Sequence, residues 1–176
     1  MKRASRTALV AAVFLMLLCA LALAVTRSPW RSDGALKSHF IRHRADFERL
    51  VAMANEDVHL TRIARDFTWL DNSVAWPRNN VGISDERWNG YRKLFRQVED
   101  ADGILKNIDP PRIIFPIVSA GLVPSGYTKG IVYSPEPLSP VLKSLDEKPP
   151  EQFWKGSHVL VYKPIEDHWY IYFEQW

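Results

Sequence analysis

Two histidines four residues apart, His39 and His43, would present both imidazoles from one face of a helix, a spacing that suits a single metal ion. Phe40 follows His39 where H-E-x-x-H needs glutamate, no third ligand stands close by, and His43 falls on an apolar stripe. A packed histidine is the expected reading. Gly121, Gly126 and Thr128 outline a phosphate loop, G-x-x-x-x-G-K-[ST], but Tyr127 replaces the lysine and a strand follows, so a hairpin loop is expected. Residues 98–109 align Asp100, Asp102 and Gly103 with a calcium-loop template, yet Val98 and Lys106 occupy two of its ligand positions. Ser119, Ser125 and Ser134 could serve as nucleophiles beside His59, His158 or His168, but none sits in a G-x-S-x-G elbow. We therefore expect no catalytic, cofactor-binding or metal-binding residue and a chain that is not an enzyme. A hydrolase using a Ser/His pair on the carboxy-terminal loops is the alternative.

The last segment carries a different chemistry. In residues 168–176 the odd positions Trp169, Ile171 and Phe173 form one face of a strand, and Tyr170, Tyr172, Glu174 and Trp176 form the other. Both faces are aromatic. One reading is a central strand buried on one side and half-covered on the other. The functional reading makes Tyr170, Tyr172, Glu174 and Trp176 a surface for a protein partner, because such side chains supply binding hot spots.

These residues follow a segment that addresses the chain to a membrane. Residues 8–25 (ALVAAVFLMLLCALALAV) hold no charge and, at about 27 Å as a helix, match the hydrocarbon thickness of a bilayer. Lys2, Arg3 and Arg6 precede the run and Arg27, Arg31 and Lys37 follow it. With the α-amino group counted, the excess lies at the amino terminus, which places that end in the cytoplasm and the body outside. Trp30 stands where interfacial aromatics sit, making Trp30, Arg27 and Arg31 the membrane-proximal residues. Ala22-Leu23-Ala24 is also a signal-peptide cleavage pattern, so a freed chain beginning at Val25 is the competing outcome. Lipidation of Cys19 is set aside because Leu18 precedes it where a small residue is needed.

The formal charge of +3 belongs wholly to Lys2, Arg3 and Arg6; residues 27–176 hold 20 basic and 20 acidic side chains. A neutral domain without a clustered basic stripe is not expected to bind nucleic acid. Residues 27–96 nevertheless carry 13 basic and 9 acidic groups, and residues 97–176 carry 7 and 11, so the positive half adjoins the membrane. This leaves a structural lipid-surface domain, held by Arg27, Arg31, Arg42 and Arg44, as a second alternative. Cys19 is the only cysteine, so the body has neither a disulfide nor a thiolate nucleophile.

Residues 27–33 read as a linker and residues 34–176 as one domain. Asp33 can cap a helix running to about residue 55, with Leu36, Phe40, His43, Phe47, Leu50 and Ala54 recurring at helical spacing. Residues 58–70 read as a strand, residues 71–83 as a loop, and Ser84 as the cap of a second amphipathic helix carrying Trp88, Tyr91, Leu94, Phe95 and Val98 and stopped at Gly103. Four strands follow at residues 112–119, 127–133, 158–163 and 168–175, with a turn at 164–167. The proline-rich stretch 134–155 reads as a loop with at most a helical turn at 140–145. The expected fold is α+β, two amphipathic helices packed on an antiparallel sheet of about five strands that ends in a meander.

Ser119-Ala120-Gly121, Ser125-Gly126, Lys129-Gly130, Tyr133-Ser134-Pro135-Glu136-Pro137, Ser144-Leu145-Asp146, Tyr162-Lys163-Pro164-Ile165-Glu166 and Trp169-Tyr170-Ile171-Tyr172 resemble a group of small uncharacterised bacterial membrane proteins and lipoproteins. The resemblance covers about residues 40–176 and implies a location and a fold but no reaction. Together the readings lead us to expect a protein anchored in the bacterial inner membrane by a single pass through the lipid bilayer, with its domain in the periplasm. There it binds a protein partner without catalysis, as an immunity factor against a periplasmic toxin would.

Overall fold

The computed structural model describes residues 32–71, 73–74, 81–98, 103–107, 111–122, 125–149 and 151–176. The membrane anchor expected at 8–25 and the expected membrane-proximal residues Arg27, Trp30 and Arg31 lie outside them. Among the described residues no helix is long and apolar enough to cross a membrane. All of them belong to one compact unit, Arg31–Trp176.

The architecture is α+β. Helices α1 (Asp33–Arg42), α2 (Arg44–Glu56) and α3 (Asp85–Gln97) accompany strands β1 (Leu60–Ile63), β2 (Thr68–Leu70), β3 (Ser73–Val74), β4 (Ile104–Asn107), β5 (Arg112–Leu122), β6 (Ser125–Tyr133), β7 (Val159–Glu166) and β8 (Trp169–Gln175). The strands form one sheet in the order β3-β2-β1-β4-β5-β6-β8-β7, and every pairing is antiparallel.

Several expectations need correction. The single helix to residue 55 is two, because His43 leaves helical geometry at φ −112° and ψ 20°. Neither proline nor glycine causes this break. The bend lets Phe40 approach Trp169 at 4.8 Å while Phe47 meets Phe115 edge-on at 5.1 Å, so packing on the sheet sets it. The strand at 58–70 is a hairpin that reverses at residues 64–67, closed by the Ala64 amide donating to the Phe67 carbonyl at 2.9 Å. The sheet has eight strands rather than about five.

The carboxy-terminal strands are not a meander either. β8 inserts between β6 and β7, leaving β7 outermost. β7 also runs through the expected turn to Glu166. Pro164 is tolerated there because an edge strand has a side that needs no ladder hydrogen bond. The reversal falls instead at Asp167 and His168, with His168 at φ 65°. The stretch 140–145 is loop without a helical turn among the described residues, and a 3-10 turn occurs later, at Glu151–Phe153.

The capping expected of Ser84 is present, its hydroxyl accepting from the Arg87 amide at 3.2 Å. α1 is capped by Ser32, whose hydroxyl accepts from Ala35 at the same distance. The core lies between the helices and one face of the sheet, where Phe40, Phe47, Leu50, Tyr91, Phe95, Ile104, Phe115, Ile131 and Trp169 are buried together. Burial of this many apolar side chains supplies most of the driving force for folding. Strand β4, unforeseen in the sequence, contributes Lys106 to α2. Its ammonium donates to the carbonyls of Ala54 (2.7 Å) and Asp57 (2.9 Å), satisfying acceptors that the helix end leaves open. Burial lowers the pKa of this lysine, and Asp57 opposes the shift.

Candidate functional site

Alternation along β5, β6, β7 and β8 divides their side chains between two faces. Phe115, Lys129, Ile131, Val161, Lys163, Trp169 and Ile171 share the helix face, as the registers Phe115↔Ile131, Lys129↔Phe173, Val161↔Phe173 and Lys163↔Ile171 require. Arg112, Ile114, Val132, Leu160, Tyr162, Tyr170, Tyr172 and Glu174 point the other way. That second face is covered by the proline-rich stretch, which acts as a strap.

The strap begins at Ser134, which is fully buried. Its amide donates to the His168 carbonyl at 2.9 Å and its hydroxyl to the Glu136 carbonyl at 2.7 Å. Leu138 then packs into a cluster with Val132, Tyr162 and Tyr172. Next the chain lies along β7. The Tyr162 amide donates to Pro140 at 3.0 Å and the Leu142 amide returns a bond to Tyr162 at 2.8 Å. The exposed edge of β7 is thereby paired over part of its length. Past the edge the strap reaches the helix face, where Leu145 is fully buried and its amide donates to Asp33 Oδ2 at 2.9 Å.

A cleft of about 530 Å³ opens between the strap, the 151–158 segment and the sheet. Arg112, Glu136, Leu138, Lys155, His158 and Tyr162 are among its walls. Its volume falls in the ordinary range for small-ligand pockets. The Arg112 guanidinium donates through Nη1 to the Tyr162 hydroxyl, which fixes its orientation. Arg112 Nε is buried and has no partner among the described residues. Burial pushes the Tyr162 phenol above its ordinary pKa, while Arg112 pulls it back and Glu174 adds to the rise. At one side His158 Nε2 stands 3.1 Å from Glu174 Oε1. A buried N–H without an acceptor costs roughly 1–3 kcal/mol, which the surrounding packing must offset.

The sequence-expected residues are placed as follows. Tyr172 is buried at 2 % exposure under Leu138, while Tyr170 and Glu174 are half-buried and Trp176 is 39 % exposed. The four therefore do not form one open surface. Trp176 lies over Gly126, where an added Cβ would sit 3.1 Å from the indole. His39 Nε2 is 2.7 Å from the Val98 carbonyl oxygen, so that nitrogen is engaged within the domain. His43 pairs with Asp46 at 3.6 Å, His59 with Asp71 at 3.8 Å, and His168 Nδ1 lies 3.1 Å from the Ser134 carbonyl. Gly121 and Gly126 pair across the β5–β6 hairpin, as the hairpin reading of that stretch expects. Asp100 and Asp102 lie outside the described residues. Arg44 is held by Glu48 at 2.8 Å and Glu166 at 3.0 Å, so it is committed within the domain.

No family model matches the chain, and no curated protein or solved structure matches it. The cleft must be read from its own geometry. Nothing local in the sequence points to it, because Arg112 and Tyr162 are fifty residues apart and meet only through the sheet order. One signal is present: each is a polar-tipped residue on a strand whose neighbours on the same face are apolar.

Proposed function

We propose that this chain is a non-catalytic binding domain of the bacterial envelope. Residues 8–25 tether it to the inner membrane, the domain faces the periplasm, and the cleft under the strap receives the partner. The observation that supports binding is a cleft of about 530 Å³ whose walls combine apolar side chains (Leu138, Phe153, Leu160) with polar ones (Arg112, Lys155, His158). The lipid-surface reading is weakened by Arg44, whose guanidinium already serves two carboxylates.

Protease added to intact spheroplasts is expected to digest a carboxy-terminally tagged, full-length band. In the same cells, crosslinking is expected to return one specific envelope protein. Protection of the full-length band would place the domain in the cytoplasm and overturn the topology; repeated crosslinking without a specific partner would overturn the binding role.

A second reading rests on Glu174, His158 and Ser139. The carboxylate holds the imidazole at 3.1 Å, and Ser139 lines the same cleft. A hydrolytic triad needs in addition a hydrogen bond from Ser139 to His158, which is absent among the described residues, so the serine would have to move to the imidazole to be activated. If the pair activates Ser139, a fluorophosphonate probe labels the wild type and leaves Ser139→Ala unlabelled. Absence of labelling in both rules this reading out.

A further inference from the structure

Resting on the binding role proposed for the cleft, we propose that its ligand is a neutral amide, a group with a C=O and an N–H on one edge, which pairs with the main chain of Leu160 on the open edge of β7. The site follows from which edge groups are already taken. The Lys155 amide donates to the His158 carbonyl at 2.7 Å, and the His158 amide donates back to the Lys155 carbonyl at 3.2 Å. Tyr162 is engaged in the same way by Pro140 and Leu142 of the strap. Main-chain direction alternates along a strand, so Val159, Val161 and Lys163 face β8, while Leu160, midway between His158 and Tyr162, turns its N–H and C=O to the outer side. Among the described residues neither group has a partner there.

Pairing stops at His158 and resumes at Tyr162, which at about 3.3 Å per residue leaves an opening of about 13 Å along the edge. The opening gives on the cleft, because its ends (Lys155, His158, Pro140 and Tyr162) and its middle (Leu160) all line that space. An extended peptide cannot run along it, since the next pairing positions on either side are occupied. A single amide fits: one strand residue exchanges both of its bonds with one opposing C=O and N–H. The rest of the lining agrees with a ligand that carries no charge. Arg112 and Lys155 are matched by Glu136 in the wall and by Glu174, which holds His158. An anion would meet the carboxylates and a cation the basic groups. Leu138, Pro140 and Phe153 offer apolar surface to the ligand's body, and the volume of about 530 Å³ admits a small molecule or one side chain. The amide is common to a free carboxamide and to an Asn or Gln side chain of a protein partner.

The test uses the full chain in nanodiscs and four probes: 3-phenylpropanamide, methyl 3-phenylpropanoate, 3-phenylpropanoate and a tripeptide capped at both ends with glutamine at its centre. Calorimetry is expected to show the primary amide binding about tenfold more tightly than the ester, which has the carbonyl but no N–H to answer Leu160. Leu160→Pro removes the N–H from an edge strand that already accommodates Pro164. It is expected to weaken the primary amide about tenfold relative to Leu160→Ala, which loses the side-chain packing but keeps the N–H. Should Leu160→Pro fail to fold, amide hydrogen exchange of the parent chain decides: the Leu160 N–H is expected to exchange faster than that of Val161 and to be slowed by 3-phenylpropanamide. Tighter binding of the tripeptide would assign the site to a partner's side chain, and tighter binding of 3-phenylpropanamide to a free carboxamide. Equal binding of amide and ester, tighter binding of the carboxylate, no binding of any probe, or Leu160 exchange unchanged by the amide would overturn the proposal. An envelope partner still crosslinked to a folded Leu160→Pro chain would leave the binding role standing and remove the amide contact from it.

Discussion

Gly130→Ala is expected to remove the cooperative fold of this domain. Gly130 lies in β6 between two partner strands, opposite Pro116 on β5 and Tyr172 on β8. A Cβ built on it would stand 2.1 Å from the Phe115 carbonyl oxygen, 3.0 Å from the Ile117 amide nitrogen and 3.0 Å from the Tyr172 ring. Two of these are backbone atoms of a neighbouring strand, so no rotamer change can relieve them. The β5–β6 register shifts between Pro116 and Val118, and the irregularity brings the Phe115 carbonyl over Gly130. Relief would require β5 and β6 to separate where the Phe115 and Ile131 side chains enter the core. The cost is expected to be on the order of 3 kcal/mol or more, a large share of the stability of an ordinary domain. Gly34→Ala is the internal comparison. It lies in α1 with nothing within 4 Å of the new methyl, and is expected to stabilise by about 0.5–1 kcal/mol. Urea unfolding followed by circular dichroism reads both. A Gly130→Ala midpoint equal to that of the parent would mean that the two backbones do not approach this closely.

The same residues show which parts of the fold a sequence can disclose. The helix-face stripe is legible because burial follows the 3.6-residue period: Leu36, Phe40, Phe47, Leu50 and Ala54 are all fully buried. The bend at His43 is not, since no local residue demands it and the aromatic contacts that set it come from strands more than sixty residues away. The hairpin at 60–70 does leave a trace. Leu60 and Arg62 set one alternation and Phe67 and Trp69 the opposite parity, which a single strand cannot carry without a turn or bulge between them. β4 is four residues, half of them polar, and its pairing with β1 and β5 is what makes it a strand. The interposition of β8 between β6 and β7 has no local signal either. It depends on how far the strap travels, and that is fixed by Tyr162 pairing with Pro140 and Leu142.

The cleft is less legible still. Aromatic density points to Tyr170, Tyr172, Glu174 and Trp176, and composition alone cannot say which of two aromatic faces is covered. The strap decides it, because Leu138 closes over Tyr172. On the opposite face of the sheet Lys129 is more legible, a lysine between Tyr127 and Ile131 on the apolar face of β6. A charge in that position must be paired, so its place in the alternation by itself announces a buried network.

That network supplies the other large effect. Lys129 is fully buried, with its ammonium 2.8 Å from Asp33 Oδ1 and 2.9 Å from Asp146 Oδ1, and it donates to the Leu145 carbonyl at 3.1 Å. Lys163 reaches Asp33 Oδ2 at 2.8 Å, and the Asp33 amide donates to Asp146 Oδ1 at 2.8 Å. Two cations and two anions thus fasten the first turn of α1 to β6, β7 and the end of the strap. Asp33→Ala strips Lys129 of its most buried partner and is expected to cost on the order of 3–5 kcal/mol. Pairing Asp33→Leu with Lys129→Met removes both charges and is expected to recover much of that loss, because the desolvation of both ions is then avoided. The pH dependence follows from the same contacts. Burial, the largest influence on the Asp33 carboxyl, raises its pKa. The Leu145 amide, Lys129 and Lys163 together outweigh it, so the folded value lies below that of an ordinary aspartate. A carboxyl with a lowered folded pKa contributes stability that is complete above its unfolded value, near pH 4, and is lost as pH falls through the folded one. The urea midpoint of the parent chain is therefore expected to drop on acidification below about pH 4. The double variant, which has no carboxyl at position 33, lacks that component of the decline. Parallel midpoint-against-pH curves for the two chains would mean that Asp33 is no more strongly paired in the folded domain than in the unfolded chain.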